Sequence, residues 1–272
     1  MSAPLPPDGR HGPAPLDRRS LTVESVRAVG AYTILAAEDP DGPEPAPGQF
    51  YMLACAGRWG GGPDERPYLP RAVSVMAAAG GRLEFMLDAV GPGTSELCEM
   101  EPGDELLVLG PFGRGFRPVE GSRAFICAGG IGVAPMVGLQ AALGPEAKVL
   151  LGFRDAAHAD AAELFPGALV ATDDGSVGHA GNAVALLASE LRGVGNAVVY
   201  SCGPPAMLAA VRKFTLETGA RAQLALESGM ACGFGACFGC VVPCVDGYRR
   251  LCVDGPVLEA DELASGWEAA YG

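Results

Sequence analysis

Cys232, Cys237 and Cys240 form a C-x4-C-x2-C run near the C-terminus, and Cys252 follows twelve residues after Cys240. Thiolates at this spacing suit a [2Fe–2S] cluster of the plant type, in which four sulfurs hold two irons. A centre of that kind moves electrons singly, so the chemistry implied is electron transfer. The interleaved glycines Gly233, Gly235 and Gly239 fit this reading. Glycine adopts positive φ without steric cost, so backbone N–H groups can curl toward the sulfurs. Hydrogen bonds to those sulfurs tune the potential. Two other readings compete. Structural zinc takes cysteine pairs from separate knuckles, which a glycine-rich run of three fits poorly. Disulfides need an oxidising compartment, for which the sequence carries no sign.

The fourth ligand has two candidates. Cys244 lies in Val241-Val242-Pro243-Cys244-Val245, a strand that runs into a turn at Asp246-Gly247. A return strand from Arg249 to Val253 carries Cys252 back toward the other three. That geometry favours Cys252 and leaves Cys244 as a small buried or surface thiol.

Composition narrows the classes further. The 272 residues suffice for two domains with their own cores. A net charge of −13 disfavours nucleic acid and anionic membranes as partners. No apolar run approaches the roughly 20 residues that span a bilayer. Residues 1–20 are rich in Pro and Arg without an apolar stretch, and read as a disordered tail rather than a secretory signal. The nine cysteines then fit a reducing cytoplasm, with thiols serving a metal. Cys55, Cys98, Cys127 and Cys202 sit singly among apolar residues and read as core packing.

The positioning elements divide the chain. Residues 21–118 read as short strands and turns: Leu21–Val26, Tyr32–Ala37, Gln49–Ala54, Arg71–Met76, Arg82–Ala89 and Glu105–Leu109. That pattern predicts a small antiparallel barrel, with a short helix near Gly93–Met100. Residues 119–226 alternate strand and helix, beginning with the apolar strand Arg123–Ala128. This predicts a five-stranded, parallel, doubly wound sheet. Residues 227–272 follow as a separate cluster module. The fold class is therefore a β-barrel plus an α/β domain with a C-terminal [2Fe–2S] module.

Three further motifs could carry chemistry. Gly129-Gly130-Ile131-Gly132 turns from the first parallel strand into a helix, a geometry that accepts phosphate at a helix N-terminus. It lacks the full dinucleotide fingerprint, and packing glycines would also explain it. Cys202-Gly203-Pro204 ends the fourth strand, at the edge where open parallel sheets bind ligands. Two such turns could flank one dinucleotide with Cys202 facing its nicotinamide, although a buried strand-end cysteine is an equal reading. In the barrel, Arg71-Ala72-Val73-Ser74 offers a guanidinium for a pyrophosphate and a hydroxyl for a flavin ring. Gly91-Pro92-Gly93-Thr94-Ser95 is a second phosphate-type turn. A surface arginine and a plain turn are the ordinary alternatives.

Taken in order, residues 21–258 resemble the electron-transfer subunits of type B dihydroorotate dehydrogenase, within the ferredoxin-reductase-like flavoproteins. The resemblance rests on Arg71-Ala72-Val73-Ser74, Gly91-x-Gly93-Thr94, Gly110-Pro111-Phe112-Gly113, Gly129-Gly130-Ile131-Gly132-Val133-Ala134-Pro135 and Cys202-Gly203-Pro204. Its most specific part is Glu227-Ser228-x-Met230-x-Cys232-Gly233-x-Gly235-x-Cys237 with Cys252-x-Asp254-Gly255-Pro256. It implies FAD in the barrel on Arg71, Ala72, Val73, Ser74, Met86, Leu87, Asp88, Gly93 and Thr94. It implies NAD on Gly129, Gly130, Gly132, Cys202, Gly203 and Pro204, and a cluster on Cys232, Cys237, Cys240 and Cys252. A partner subunit with FMN would oxidise dihydroorotate, in a two-plus-two heterotetramer serving pyrimidine biosynthesis. Electrons would then pass through cluster and FAD to NAD+. No base or pocket for the pyrimidine is evident in this chain.

Ala72 stands where the family has proline, so a pre-set φ is lost, and the spacing before Cys252 is short. Asp155 could take ribose hydroxyls and Arg154 a phosphate, which leaves NAD against NADP open. Competing functions are a reductase subunit for a sulfite reductase, hydrogenase or oxygenase, and a non-catalytic iron–sulfur redox sensor.

Overall fold

The protein is described here from a computed structural model, covering residues 18–57 and 69–268. Residues 1–17 of the expected tail, and residues 58–67 of a glycine-rich loop that the sequence places over 57–67, lie outside the described residues.

The first domain is a closed barrel of β1 (Arg19–Val29), β2 (Tyr32–Glu38), β3 (Phe50–Cys55), β4 (Arg71–Ala79), β5 (Arg82–Leu87) and β6 (Glu105–Phe112). Helix α1 (Pro92–Cys98) lies between β5 and β6. The barrel order is β1-β2-β5-β4-β3-β6, and all of its pairings are antiparallel. Closure removes the free edges that a small antiparallel sheet would otherwise expose. Its interior is filled by Leu35, Tyr51, Leu53, Phe85, Leu106 and Val108. The first strand begins at Arg19, inside the span expected to be tail. The reason is electrostatic: Arg19 grips the buried Asp39 through Nε at 3.0 Å and Nη2 at 2.8 Å, and also donates to the Gly110 carbonyl at 3.1 Å.

The second domain comprises β7 (Arg123–Gly129), α2 (Ala134–Leu143), β8 (Lys148–Phe153), α3 (Ala156–Ala159), β9 (Leu169–Thr172), β10 (His179–Ala180), α4 (Ala183–Glu190), β11 (Ala197–Cys202), α5 (Pro205–Thr218) and β12 (Arg221–Ala225). The five expected parallel strands lie in the order β9-β8-β7-β11-β12. Every residue of β11 is buried, as a central parallel strand requires. Strands β7 and β11 run parallel, but successive strands are added to one side of β7 and then, from β11 on, to the other, which makes the C-terminal ends of these two the switch point where such sheets bind ligands.

Beyond residue 226 come the hairpin β13 (Val241–Cys244) and β14 (Gly247–Arg250), then β15 (Val257–Glu259). This segment is joined to the nucleotide sheet, since β15 pairs antiparallel with β12 while β10 extends the opposite edge, making seven strands in all. Arg212 on α5 fastens the same segment by donating to the Ala260 carbonyl at 2.8 Å and the Leu263 carbonyl at 2.6 Å. Trp267 is then fully buried in a core that also holds Phe50, Met52 and Phe112 of the barrel. Barrel and sheet meet again where α2 packs on β4, around Met76, Met86, Ala134 and Met136. These shared cores fix the parts relative to one another.

Replacing Asp39 with alanine strands the Arg19 guanidinium in a half-buried setting. Loss of one partner from such a pair costs about 3–5 kcal/mol. We expect the D39A barrel to unfold at markedly lower urea concentration, read by circular dichroism with the slope unchanged.

Candidate functional site

The hairpin β13–β14 decides which cysteines meet. Val241 pairs with Arg250 and Cys244 with Gly247. Cys240 and Leu251 therefore face each other just past the open end, joined by a 3.0 Å bond from Leu251 N–H to the Cys240 carbonyl. The next residue, Cys252, brings its sulfur to 3.2 Å from that of Cys240. Cys244 is carried to the closed end, where it is buried and bridges Leu263. Burial raises its thiol pKa, with Arg249 opposing.

Cys232 and Cys237 form the other pair, related through a side-chain hydrogen bond. Partial burial opposes ionisation of Cys232. Backbone N–H groups of Cys237, Phe234 and Ala236, together with the Cys237 side chain, outweigh it and bring the thiol to about 7. Cys237 accepts from the Gly239 N–H at 3.4 Å. Cys240 is lowered to about 6, chiefly by its hydrogen bond with Cys252, which is itself held up as the partner that keeps the proton. The Gly235 N–H also faces Cys252. Gly233 and Gly235 turn these amides inward at φ of +79° and +90°. Gly239 does not share that conformation; Phe238 takes it instead, at φ +59°.

No three His, Cys, Asp or Glu side chains among the described residues converge as a site for a metal ion. The cysteine sulfurs form two pairs with inward amides. Four thiolates shared between two irons amount to two for each, so the arrangement fits a [2Fe–2S] centre.

Beside this cage, between the domains, lies a cavity of about 290 Å³. Ala72, Val73, Ser74, Met86, Leu87, Asp88 and Thr94 line its barrel side. Arg71 stands at the α1 entrance, where a Cβ on Gly93 would fall 2.3 Å from its Nε. The Thr94 hydroxyl is held by the Gly91 backbone, accepting from its N–H at 3.1 Å. Other lining residues were not singled out as site residues by sequence reasoning: Phe50, beside Ser74 on the barrel side, and Ile131, Glu227, Ser228, Met230 and Pro256 on the opposite wall. Protein crowded around the Glu227 carboxyl raises its pKa. The Ser228 Oγ is buried without a protein partner. An orphaned hydroxyl on the wall of a mainly apolar cavity is an observation that a polar ring ligand would satisfy.

The two glycine turns at the switch point do come together. A Cβ on Gly132 would lie 2.6 Å from the carbonyl of Cys202, so the turns touch only because Gly132 lacks one. Neither Cys202 nor the three turn glycines lines the cavity; Ile131, Ala134 and Pro135 do. Cys202 is fully buried, and burial raises its thiol pKa well above the usual range, with Glu227 adding to the effect. Asp155 serves its own helix, capping α3 through His158 N–H at 3.1 Å and holding His158 Nδ1 at 2.6 Å.

Barrel, doubly wound sheet and the cavity between them define a ferredoxin-reductase fold. A solved NADH-dependent reduced ferredoxin–NADP oxidoreductase superposes with a TM-score of 0.77 at 22% identity, covering 92% of this chain and 91% of the other. A ferredoxin NADP+ reductase from Neisseria gonorrhoeae, solved with FAD and NADP, gives 0.61 at 17% identity, covering 74% of this chain and 92% of the other. Residues 227–264 match the iron–sulfur cluster binding domain of dihydroorotate dehydrogenase B. The dihydroorotate dehydrogenase B (NAD(+)) electron transfer subunit of Geobacillus thermodenitrificans is 35% identical over 266 residues, covering 91% of this chain and 99% of its own length. The same subunit of Caldanaerobacter subterraneus is 34% identical over 228 residues, covering 82% and 88%. This chain belongs to the family of dihydroorotate dehydrogenase B electron transfer subunits.

In metal-free protein, alkylation of Cys232 should rise with pH around about 7, below the ordinary thiol value of 9.0, because a lowered pKa leaves thiolate present above it. Mass spectrometry of the modified peptide reads the rate; a profile centred on the ordinary value would mean that the amides do not act on this sulfur.

Proposed function

We propose that this chain carries electrons between an FMN-containing, dihydroorotate-oxidising catalytic subunit and NAD+, in a complex of two chains of each kind. The carrying observation is the pairing of Cys240 with Cys252 at 3.2 Å beside a loop of inward amides. Its ligand set is Cys232, Cys237, Cys240 and Cys252, with Cys244 outside it.

When bound, the iron–sulfur centre supplies one-electron transfer, and the flavin exchanges single electrons for electron pairs. The chain's own residues bind and orient. Arg71 and the turn at Gly93-Thr94 would hold the FAD pyrophosphate, a role that suits a guanidinium fork beside free backbone N–H groups. Ala72, Val73 and Ser74, with Met86, Leu87 and Asp88, would seat the ring, and the Ser228 hydroxyl would gain the partner it lacks. The touching turns of Gly129, Gly130 and Gly132 and of Cys202, Gly203 and Pro204 would receive the NAD pyrophosphate at the switch point. No residue here is assigned to pyrimidine chemistry.

Apolar exposure favours the cysteine module as the face toward the catalytic subunit. Phe234 is 42% exposed and Phe238 60% on the loop, with Val245 and Tyr248 bare at the hairpin tip. Large exposed apolar side chains on one module mark an interaction surface, and electrons crossing there have the shortest way to the sulfurs.

Anaerobic purification with the catalytic subunit should yield iron and acid-labile sulfide in equal amounts, plus FAD. Cys252→Ser is expected to lose the iron while keeping FAD, and Cys244→Ser to keep both. Loss of iron from C244S but not from C252S would exchange the fourth ligand.

A further inference from the structure

Arg250 lies two residues before Cys252 and on the hairpin strand that faces the cysteine loop. Its guanidinium Nη1 donates to the Gly235 carbonyl at 3.1 Å. The same group sits 5.0 Å over the ring of Phe238, the residue held at φ +59°. A bulky side chain in that region stays there only where its surroundings fix it. The fit is tight, since a Cβ on Gly235 would meet Val253 at 2.6 Å and Arg250 Nη1 at 3.3 Å.

The consequence follows from peptide geometry. In a trans peptide the C=O and N–H lie in one plane and point in opposite directions. With the Gly235 carbonyl drawn outward to Arg250, the N–H of Ala236 points the other way, toward the Cys232 sulfur. One arginine thus fixes a donor peptide and the aromatic residue at the far side of the loop.

We infer that Arg250 is a positioning residue for the iron–sulfur centre, aiming the loop amide at Cys232 and raising the centre's reduction potential. The inference rests on the ligand set proposed above. Reduction adds an electron to an already anionic assembly. Inward N–H dipoles and a nearby positive charge both stabilise that added charge. Asp254, whose carboxylate lies 3.9 Å from Arg250 Nε and accepts from its backbone N–H at 3.0 Å, would be left unneutralised without the guanidinium. Loss of the amide's aim, loss of the cation and exposure of Asp254 all shift the potential in the same direction, downward.

The test compares the full chain with its Arg250→Gln and Arg250→Lys variants, by iron and sulfide content and by redox titration followed through electron paramagnetic resonance. The glutamine variant should hold its cluster and lose roughly tenfold in the reduction equilibrium, about 59 mV for one electron, with an altered signal shape. Lysine keeps the charge but cannot both grip a carbonyl and stack as a planar fork, so its midpoint should fall between the two. A glutamine variant with full iron and an unchanged midpoint and signal overturns the inference. If glutamine loads no iron, the lysine variant decides: a lowered midpoint supports the role, whereas a wild-type midpoint, or no iron in either, overturns it. An iron-free parent chain would remove the ligand assignment itself, which separates the two failures.

Discussion

Two pairs of cysteine sulfurs, Cys232 with Cys237 and Cys240 with Cys252, repel within each pair once ionised, and the C-terminal architecture answers that repulsion. The answer is local and backbone-made. Amides of Phe234, Ala236 and Cys237 face Cys232, that of Gly239 faces Cys237, and that of Gly235 faces Cys252. A loop can aim so many N–H groups inward only if its carbonyls find partners outside. Left-handed conformations at Gly233, Gly235 and Phe238 make that reversal possible. The hairpin then supplies what a loop cannot, a register rigid enough to bring Cys252 beside Cys240 and keep Cys244 away.

Such a cage would transfer nothing if it swung freely. The same buried cluster contains Cys240 and Cys252, Phe50, Met52 and Phe112 of the barrel, and Leu224 and Leu258 of the sheet. Phe50 and Met230 also line the interdomain cavity, so side chains of the cluster that holds Cys240 and Cys252 border the space proposed for the flavin. Closely packed interiors do not deform continuously, and a fixed separation follows. The β12–β15 pairing and the Arg212 bonds serve the same end, tying the module to the nucleotide sheet rather than to a linker.

Much of this was legible before any coordinates. Cysteine spacing, the switch from short strands to strand–helix alternation, and the glycine turns at Gly129 and Cys202 all depend on local geometry, which sequence carries directly. The Asp246-Gly247 turn even indicated that Cys252 would return to the cage. Less legible were features made by distant segments meeting. Glu227, Ser228 and Pro256 acquire their place in the cavity only because β12 and β15 pair. The four-residue α3 and three-residue β15 are too short to leave a periodic signal. Asp155, a candidate for ribose contact by position, is engaged by the cap of a helix that could not be foreseen. The glycines at 129, 130 and 132 illustrate the opposite ambiguity, for Gly132 is needed for packing whether or not a phosphate ever sits there.

Electrostatics link the cage to the rest of an acidic chain. With a net charge of −13, a negative centre near the surface would be hard to reduce unless its own neighbourhood were locally compensated. The module carries two arginines for this, and they are used differently. Arg249 is spent on Asp246 at 2.6 Å, at the hairpin tip and away from the sulfurs. Arg250 stands 3.9 Å from Asp254, a looser pairing that leaves its fork turned to the Gly235 carbonyl and the Phe238 ring. A charge held by a carbonyl and an aromatic face keeps most of its field, whereas one closed against a carboxylate does not. The arrangement therefore places the more loosely paired of the two hairpin arginines beside the loop amides, so backbone dipoles and the guanidinium that offsets Asp254 act on the same sulfurs with the same sign.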